Sequence, residues 1–224
     1  MKLIHYRLLF ALSLMVFSLL CRAELTDEIR DLRSDWARIK YDLNKDQQEK
    51  AFEQLAEKAA MVRKEQDHQV EAHIWEGIIL STWAGVKGGL GALGLVKRAK
   101  SAFEHAIEMD ASAMGGSALT SLGSLYYQVP GWPLGFGDRE KAGEYLVKGL
   151  EVNPDGIDSN FFYGDFLLEQ GDYKAAEQAF EKALKAPDRP DRPLADKGRR
   201  EETRLALARL RAAQSMAKKN DAFK

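Results

Sequence analysis

The sequence has one cysteine, six prolines and no excess of charge of either sign. Its 33 lysines and arginines face 34 aspartates and glutamates, so the formal net charge of the 224 residues is -1. Nucleic-acid-binding domains concentrate basic residues, and this balance therefore predicts no nucleic-acid partner. Apolar residues make up 45% of the chain and charged residues 30%, which excludes a disordered or collagen-like protein.

A long hydrophobic run occurs at the start of the chain. Lys2 and Arg7 precede an apolar stretch at 8–20, and the small residue Ala23 follows it. This order is typical of a secretory signal peptide, so we expect residues 1–23 to be removed and the protein to be periplasmic. A helix over 8–20 would extend about 20 Å, less than the roughly 30 Å of a bilayer core, so no membrane span is expected after cleavage.

Cys21 is the only cysteine, and it lies inside this segment. Lipidation at Cys21 is one alternative to cleavage, but Leu20 stands where a lipidation motif requires a small residue; an uncleaved anchor is the other. A mature chain without cysteine excludes disulfides and cysteine-ligated metals, and it suits an oxidising compartment.

No segment after residue 23 shows the apolar alternation of a β-strand. Apolar residues recur three and four positions apart, as in Ile29, Leu32 and Trp36, which predicts amphipathic helices. The clearest example is 157–185, where Gly171-Asp172 separates two such stretches. This segment therefore predicts a pair of helices joined by a short turn.

The same pattern occurs twice at a separation of 34 residues, at 137–142 and at 171–176. With this period the chain resembles the tetratricopeptide repeat family. The matching positions in 157–185 are Tyr163, Gly164, Gly171, Tyr173, Ala176, Phe180 and Ala183. Two positions differ from the family pattern. The family prefers tyrosine at the position of Leu167, and it prefers alanine at the position of Gly149 in the preceding unit.

The resemblance implies an all-α fold, a right-handed solenoid of antiparallel helix pairs. We expect three to four such hairpins, closed by a C-terminal capping helix with a polar outer face. The expected parts of the chain after the signal peptide are a degenerate hairpin at 24–64, the solenoid at 65–193, and the capping helix and tail at 194–224.

Two apolar insertions interrupt the repeat, at 83–97 and at 128–137. Both lie between the helices of a hairpin, so stacking is expected to place them side by side on one rim of the solenoid. Their large apolar residues include Trp83, Leu90, Trp132 and Phe136. Either the insertions close a pocket over the concave face, or they bury each other as a small satellite core. Alanine at Trp132 distinguishes the two, because loss of binding without unfolding indicates a pocket.

The resemblance also implies that the first helix of each hairpin lines the concave groove. The expected groove residues are Glu71, Ile74, Ile78, Ser117, Thr120, Ser124, Tyr127, Asp158, Phe161 and Asp165. Together with the insertions, they give the candidate residues for binding a ligand or partner: Trp83, Leu90, Tyr127, Trp132, Phe136, Asp158, Phe161 and Asp165.

The sequence gives no catalytic constellation, and we expect a non-enzymatic protein without metal or cofactor. The glycine motif at 89–94 spells GxGxxG but has no strand before it, so a dinucleotide site is not expected. His68 and His73 are five residues apart and therefore face different sides of a helix. The segment 189–193, with the sequence RPDRP, is interpreted as a stiff linker, or alternatively as a recognition element for an acidic partner.

The predicted function is a periplasmic scaffold that binds an envelope protein or peptide through its groove. The alternative is a carrier of a small apolar ligand, because the insertions give the chain a weaker similarity to the T component of TRAP-type transporters.

Overall fold

The computed structural model describes residues 25–222, with side chains to residue 216, so the predicted signal peptide lies outside the described residues. This part of the chain is helical and contains no strand. Its helices are α1 (Asp27–Tyr41), α2 (Lys45–Glu65), α3 (Val70–Lys87), α4 (Leu93–Asp110), α5 (Ala113–Gln128), α6 (Arg139–Val152), α7 (Ile157–Gln170), α8 (Tyr173–Lys185) and α9 (Pro193–Ala222).

Short polar residues begin and end several of these helices. The Asp138 carboxylate accepts hydrogen bonds from the first amides of α6, and Asp172 accepts one from the Ala175 amide at the start of α8. Gly171 ends α7 in the left-handed region, at φ 81°, which a residue with a side chain adopts at a cost. Gly171-Asp172 is thus a helix end followed directly by a helix start, as its sequence predicts.

Consecutive helices form the pairs α1–α2, α3–α4, α5–α6 and α7–α8. In three of these pairs a glycine of the first helix faces a large side chain of the second. A Cβ added at Gly77 would lie 2.5 Å from Phe103, and one at Gly164 would lie 2.8 Å from Phe180. Gly123 approaches Leu146 in the same way, at 2.8 Å. These stacked pairs confirm the predicted fold class.

The departure at Gly149 also has a local cause. A Cβ added there would lie 2.5 Å from the Thr120 hydroxyl of α5. The α5–α6 crossing is therefore too close for the alanine that the repeat family prefers.

The first helices of the pairs form the inner layer, since α3 contacts α1 and α5, and α5 contacts α7. The helix α5 begins with an irregular turn in which Met114, Gly115 and Gly116 have φ values of 49°, 64° and 71°. The regular part of α5 therefore starts at Ser117, beside the inner face.

The last helix, α9, contacts α7 and α8 and also reaches α1. At the contact with α1, a Cβ added at Gly198 would lie 2.3 Å from the Tyr41 ring. On its other side Leu210 is fully buried in a cluster with Ile157 and Phe180. The last helix thus joins both ends of the solenoid and covers part of the concave face.

Within residues 25–222, no helix is both long enough and apolar enough to cross a bilayer.

Candidate functional site

The two insertions differ in their backbone. Most of the first is helical, since α3 continues to Lys87 and α4 begins at Leu93, leaving 88–92 between them. The second is a loop at 129–138 between α5 and α6. The two insertions lie side by side on one rim, because both line the same recess. Leu90 comes from the first insertion and Leu134 from the second.

The inner side of the second loop is tightly packed. The Gly137 amide donates to the Pro130 carbonyl at 2.9 Å, and the Asp138 amide donates to the Tyr126 carbonyl at 2.8 Å. Phe136 is half-buried, with its ring edge-on to that of Tyr126 at 5.6 Å between centroids. The backbone of this loop is therefore held in place, although its sequence contains three glycines.

The outer side of the same rim is apolar and exposed. Trp132 is 91% exposed, Leu90 76% and Leu134 60%. We call these three residues the rim patch. They do not bury each other, so this part of the insertions is not a satellite core.

Beside the rim patch lies an open recess of about 450 Å³. Its walls are mostly apolar and come from both insertions and from the ends of α3 and α5: Ala84, Leu90, Leu93, Val96, Leu125, Val129, Pro130 and Leu134. Trp83 is half-buried nearby, with the Lys87 ammonium 5.7 Å from its ring centroid.

Residues 77–103, which include the first insertion, are basic in sequence, but acidic residues outside this span pair with most of them: Lys87 with Glu49, Arg98 with Glu76 and Lys100 with Glu104. From Gly77 to Phe103 the chain contains no acidic residue, whereas Lys87, Lys97, Arg98 and Lys100 lie in this span. Lys97 is exposed, and within the described residues it has no ion pair. The recess is therefore apolar, and Lys97, next to the recess residue Val96 in the sequence, is the one basic residue of this span without an ion pair among the described residues.

A second cavity, of about 310 Å³, lies on the concave face. The structure places several of the expected groove residues on its wall: Ile78, Ser117, Thr120, Ser124 and Asp158. Residues from α9 and from the segment before it complete the wall, namely Pro187, Arg189, Arg192 and Arg199. The groove is therefore narrowed to a cavity by the C-terminal part of the chain.

Asp158 forms the centre of a charge network that spans this cavity. Its carboxylate accepts from Arg189 and from Arg199, each at 2.8 Å. Burial alone would raise the pKa of Asp158, but Arg199 and Arg189 outweigh it and lower the pKa below its usual range. Arg199 also donates to Glu202 at 2.6 Å.

The same network reaches the first helix. Glu202 pairs with Lys40 at 3.0 Å and accepts a hydrogen bond from the Tyr41 hydroxyl at 3.3 Å. Burial lowers the pKa of Lys40, with Arg199 acting in the same direction, and raises that of Tyr41. These contacts hold α9 against α1.

The other predicted groove residues also contact the chain itself. Phe161 is buried beneath the Arg199 guanidinium, 4.4 Å from the ring centroid. The Tyr127 hydroxyl donates to Asp165 at 3.0 Å, and burial, together with that carboxylate, raises the pKa of Tyr127. The structure thus engages Tyr127, Asp158, Phe161 and Asp165 internally and leaves the rim residues Leu90 and Trp132 open.

Sequence reasoning missed Lys40, Arg192, Arg199 and Glu202 as cavity or network residues. The alternation of charge at 189–193 is the available signal, and the structure turns that segment toward the concave face. No group of three or more His, Cys, Asp or Glu side chains within the described residues is arranged to hold a metal ion.

Comparisons with known proteins identify one repeat. Residues 157–188, which include α7 and α8, match the family model described as tetratricopeptide repeat. This match confirms the resemblance drawn from Gly164, Gly171 and Ala176.

Solved structures that are similar to the chain include MamA and PilF. MamA aligns with a TM-score of 0.43 and 17% identity over 75% of this chain and 92% of its own. PilF of Pseudomonas aeruginosa aligns with a TM-score of 0.34 and 16% identity over 88% of this chain and 99% of its own. No curated protein matches the chain. Nothing in these matches supports the weaker similarity to the T component of TRAP-type transporters.

Proposed function

We propose that the chain is a non-enzymatic scaffold that binds a partner protein at the rim patch. The observation that carries this proposal is the exposure of Trp132, at 91%, in the same loop as Leu134, which lines the recess together with Leu90. Exposed apolar side chains grouped around a recess are typical of protein-binding surfaces, and tryptophan is enriched among the residues that dominate binding energy.

The rim is favoured over the groove because the last helix covers part of the groove and narrows it to a small cavity. Asp158 and Phe161 contact Arg199 of the last helix, so a partner entering there would have to displace buried ion pairs. The rim patch needs no such displacement, because its backbone is already fixed by the hydrogen bonds of Gly137 and Asp138.

The chemistry of the partner follows from the recess and its border. A recess of about 450 Å³ with apolar walls accommodates one or two apolar side chains. Lys97 follows the recess residue Val96, is exposed and has no ion pair among the described residues, so it favours an acidic residue in the partner. The expected partner is therefore a protein segment with apolar anchors flanked by aspartate or glutamate.

The pattern at 1–23 supports export, and the partner would then be an envelope protein. N-terminal sequencing of the protein isolated from cells tests this part, with Glu24 as the expected first residue. A chain that retains Met1 in the cytosolic fraction would contradict it.

Alanine at Trp132 tests the proposed site. We expect Trp132→Ala to change the free energy of unfolding by less than about 0.5 kcal/mol, because the side chain is exposed. We expect the same change to weaken partner binding at least tenfold, since central tryptophans dominate such interfaces. Denaturant unfolding and a binding isotherm with the captured partner measure the two effects.

Site-specific photocrosslinking in cells identifies that partner. A photoreactive phenylalanine analogue at Trp132 should yield one defined product, which is lost when Leu90 and Leu134 are both changed to serine. The matched control carries the analogue at Met61, which is 60% exposed on α2 outside the rim. The proposal fails if Met61 and Trp132 capture the same proteins, or if Trp132→Ala unfolds the chain.

A further inference from the structure

One arginine on the concave face has no charged partner. Five basic and four acidic side chains meet where α9 and the preceding segment cross the inner helices: Arg33, Lys40, Arg189, Arg192, Arg199, Asp158, Asp191, Asp196 and Glu202. Each acidic side chain pairs with at least one base. Among the described residues, only the side chain of Arg192 in this cluster has neither an ion pair nor a hydrogen bond.

The position of Arg192 makes this lack of a partner significant. Its guanidinium lies 5.3 Å from the ring centroid of Trp75, which is fully buried, and the residue lines the concave cavity. Its Nε atom is buried without an acceptor. An arginine so placed keeps its charge but has lost much of the water that would stabilise it.

Two neighbouring donors are also unsatisfied. The Nε1 atom of Trp75 and the Nε atom of Arg33 are buried without an acceptor. Burial lowers the pKa of Arg192. The carboxylate of Asp158 raises this pKa in part, and the charges of Arg189 and Arg33 lower it. Trp75 and Arg33 do not line the cavity, so the unused N–H donors that a ligand can reach are those of Arg192.

The rest of the cavity suits a small molecule. Its volume of about 310 Å³ is at the lower end of the range for ligand pockets, about 300–1,000 Å³. Trp36 and Phe162 supply aromatic surface, while Thr120 and Ser121 supply hydroxyls. Asp155 and Pro187 are exposed on its wall, so the cavity opens to solvent.

We propose that this cavity binds a small organic anion, whose carboxylate or phosphate group pairs with the guanidinium of Arg192. The planar guanidinium can donate two parallel hydrogen bonds to either group. The apolar body of the ligand would lie against Trp36 and Phe162. This site is separate from the rim patch and does not depend on the function proposed there.

Three probes with the same aromatic body test the site on the whole chain: benzoate, phenyl phosphate and the uncharged benzamide. We expect one of the two anions to raise the midpoint of thermal unfolding in a concentration-dependent manner, and benzamide to leave it unchanged. The anion that acts identifies the group that the cavity prefers. If neither anion raises the midpoint more than benzamide does, the proposal is wrong.

Arg192→Gln separates binding from structural support. It should weaken binding of the active anion at least tenfold and leave the unliganded midpoint unchanged or higher, because an uncompensated charge has been removed. The control Arg204→Gln alters an exposed arginine that pairs with Glu201, and it should retain the response. A lower unliganded midpoint in Arg192→Gln would assign Arg192 a purely structural role and overturn the proposal, as would an undiminished response to the anion.

Discussion

At the scale of single residues, glycines determine how closely the helices approach. A Cβ at Gly123 would lie 2.8 Å from Leu146 Cγ and 3.0 Å from its backbone nitrogen. Because the backbone of α6 cannot move aside alone, this position accepts only glycine without a shift of the helix pair.

Gly123→Ala is therefore expected to destabilise the fold by about 1–3 kcal/mol, the usual cost of overpacking. Gly85→Ala is the matched control: Gly85 also lies within a helix, but a Cβ there would meet nothing within 4 Å. The control should be neutral or stabilise by up to about 1 kcal/mol, since alanine favours helix more than glycine does. Urea unfolding of both variants checks the pair, and equal effects would contradict this role of Gly123.

A second residue-scale feature is the low pKa of Asp158. The carboxylate is more acidic in the folded chain than in the unfolded chain, where an aspartate titrates near about 3.9. As the pH falls below about 5, the unfolded state therefore takes up a proton first, and the folded state loses stability.

Asp158→Asn removes this contribution. We expect it to cost about 2 kcal/mol at pH 7, because Arg189 and Arg199 each lose a buried partner. The difference from the unchanged chain should shrink as the pH falls from about 5 toward 2. Unfolding measured across this range checks the sign, and a difference that stays constant would show that the carboxylate charge is not involved.

At the scale of helices, α9 is part of the core rather than a surface appendage. Leu210 is fully buried on α9, whereas Leu205 of the same helix is 58% exposed. One side of α9 therefore packs against α7 and α8, and its opposite side faces solvent.

Leu210→Ala should destabilise the chain by about 2–5 kcal/mol through the cavity that it leaves. Leu205→Ala should change stability by less than about 0.5 kcal/mol. Thermal unfolding that remains a single transition in both variants would show that α9 unfolds with the solenoid. An early transition confined to α9 would contradict this assignment.

Sequence reasoning recovered the helix pairs because their determinants are local. Gly164, Gly171 and Ala176 lie within 13 residues of one another, and the apolar period marks the buried face of each helix. The repeat spacing also predicted the rim. It shows that both insertions lie between the two helices of a hairpin, and such insertions extend from the turn of that hairpin. The first insertion was expected as a loop, but alanines and leucines extend the flanking helices through most of it.

The path of α9 could not be predicted in this way. Its contacts with α1 join residues about 160 positions apart, such as Tyr41 and Glu202, and they are polar. A polar contact leaves no periodic pattern in the sequence. The sequence therefore predicts the groove from repeat geometry but not its partial cover by the last helix.

At the scale of the whole molecule, the contact between α9 and α1 determines where binding can occur. It covers part of the concave face and leaves a small cavity beneath the cover, which is why we propose the rim as the place where a protein partner binds. This cover over the concave face depends on the contact between Gly198 and Tyr41.

Disulfide trapping measures that contact directly, and the chain is suited to it because Cys21 is its only cysteine. In a Cys21→Ser background, Tyr41→Cys with Gly198→Cys should cross-link under mild oxidation, because Gly198 packs directly against Tyr41 and loss of the ring leaves room for both cysteine side chains. Tyr41→Cys with Leu205→Cys, whose second position faces solvent, should not. A Gly198 pair that stays reduced, or that links no faster than the Leu205 pair, would show that the solenoid is open and that its concave face is free.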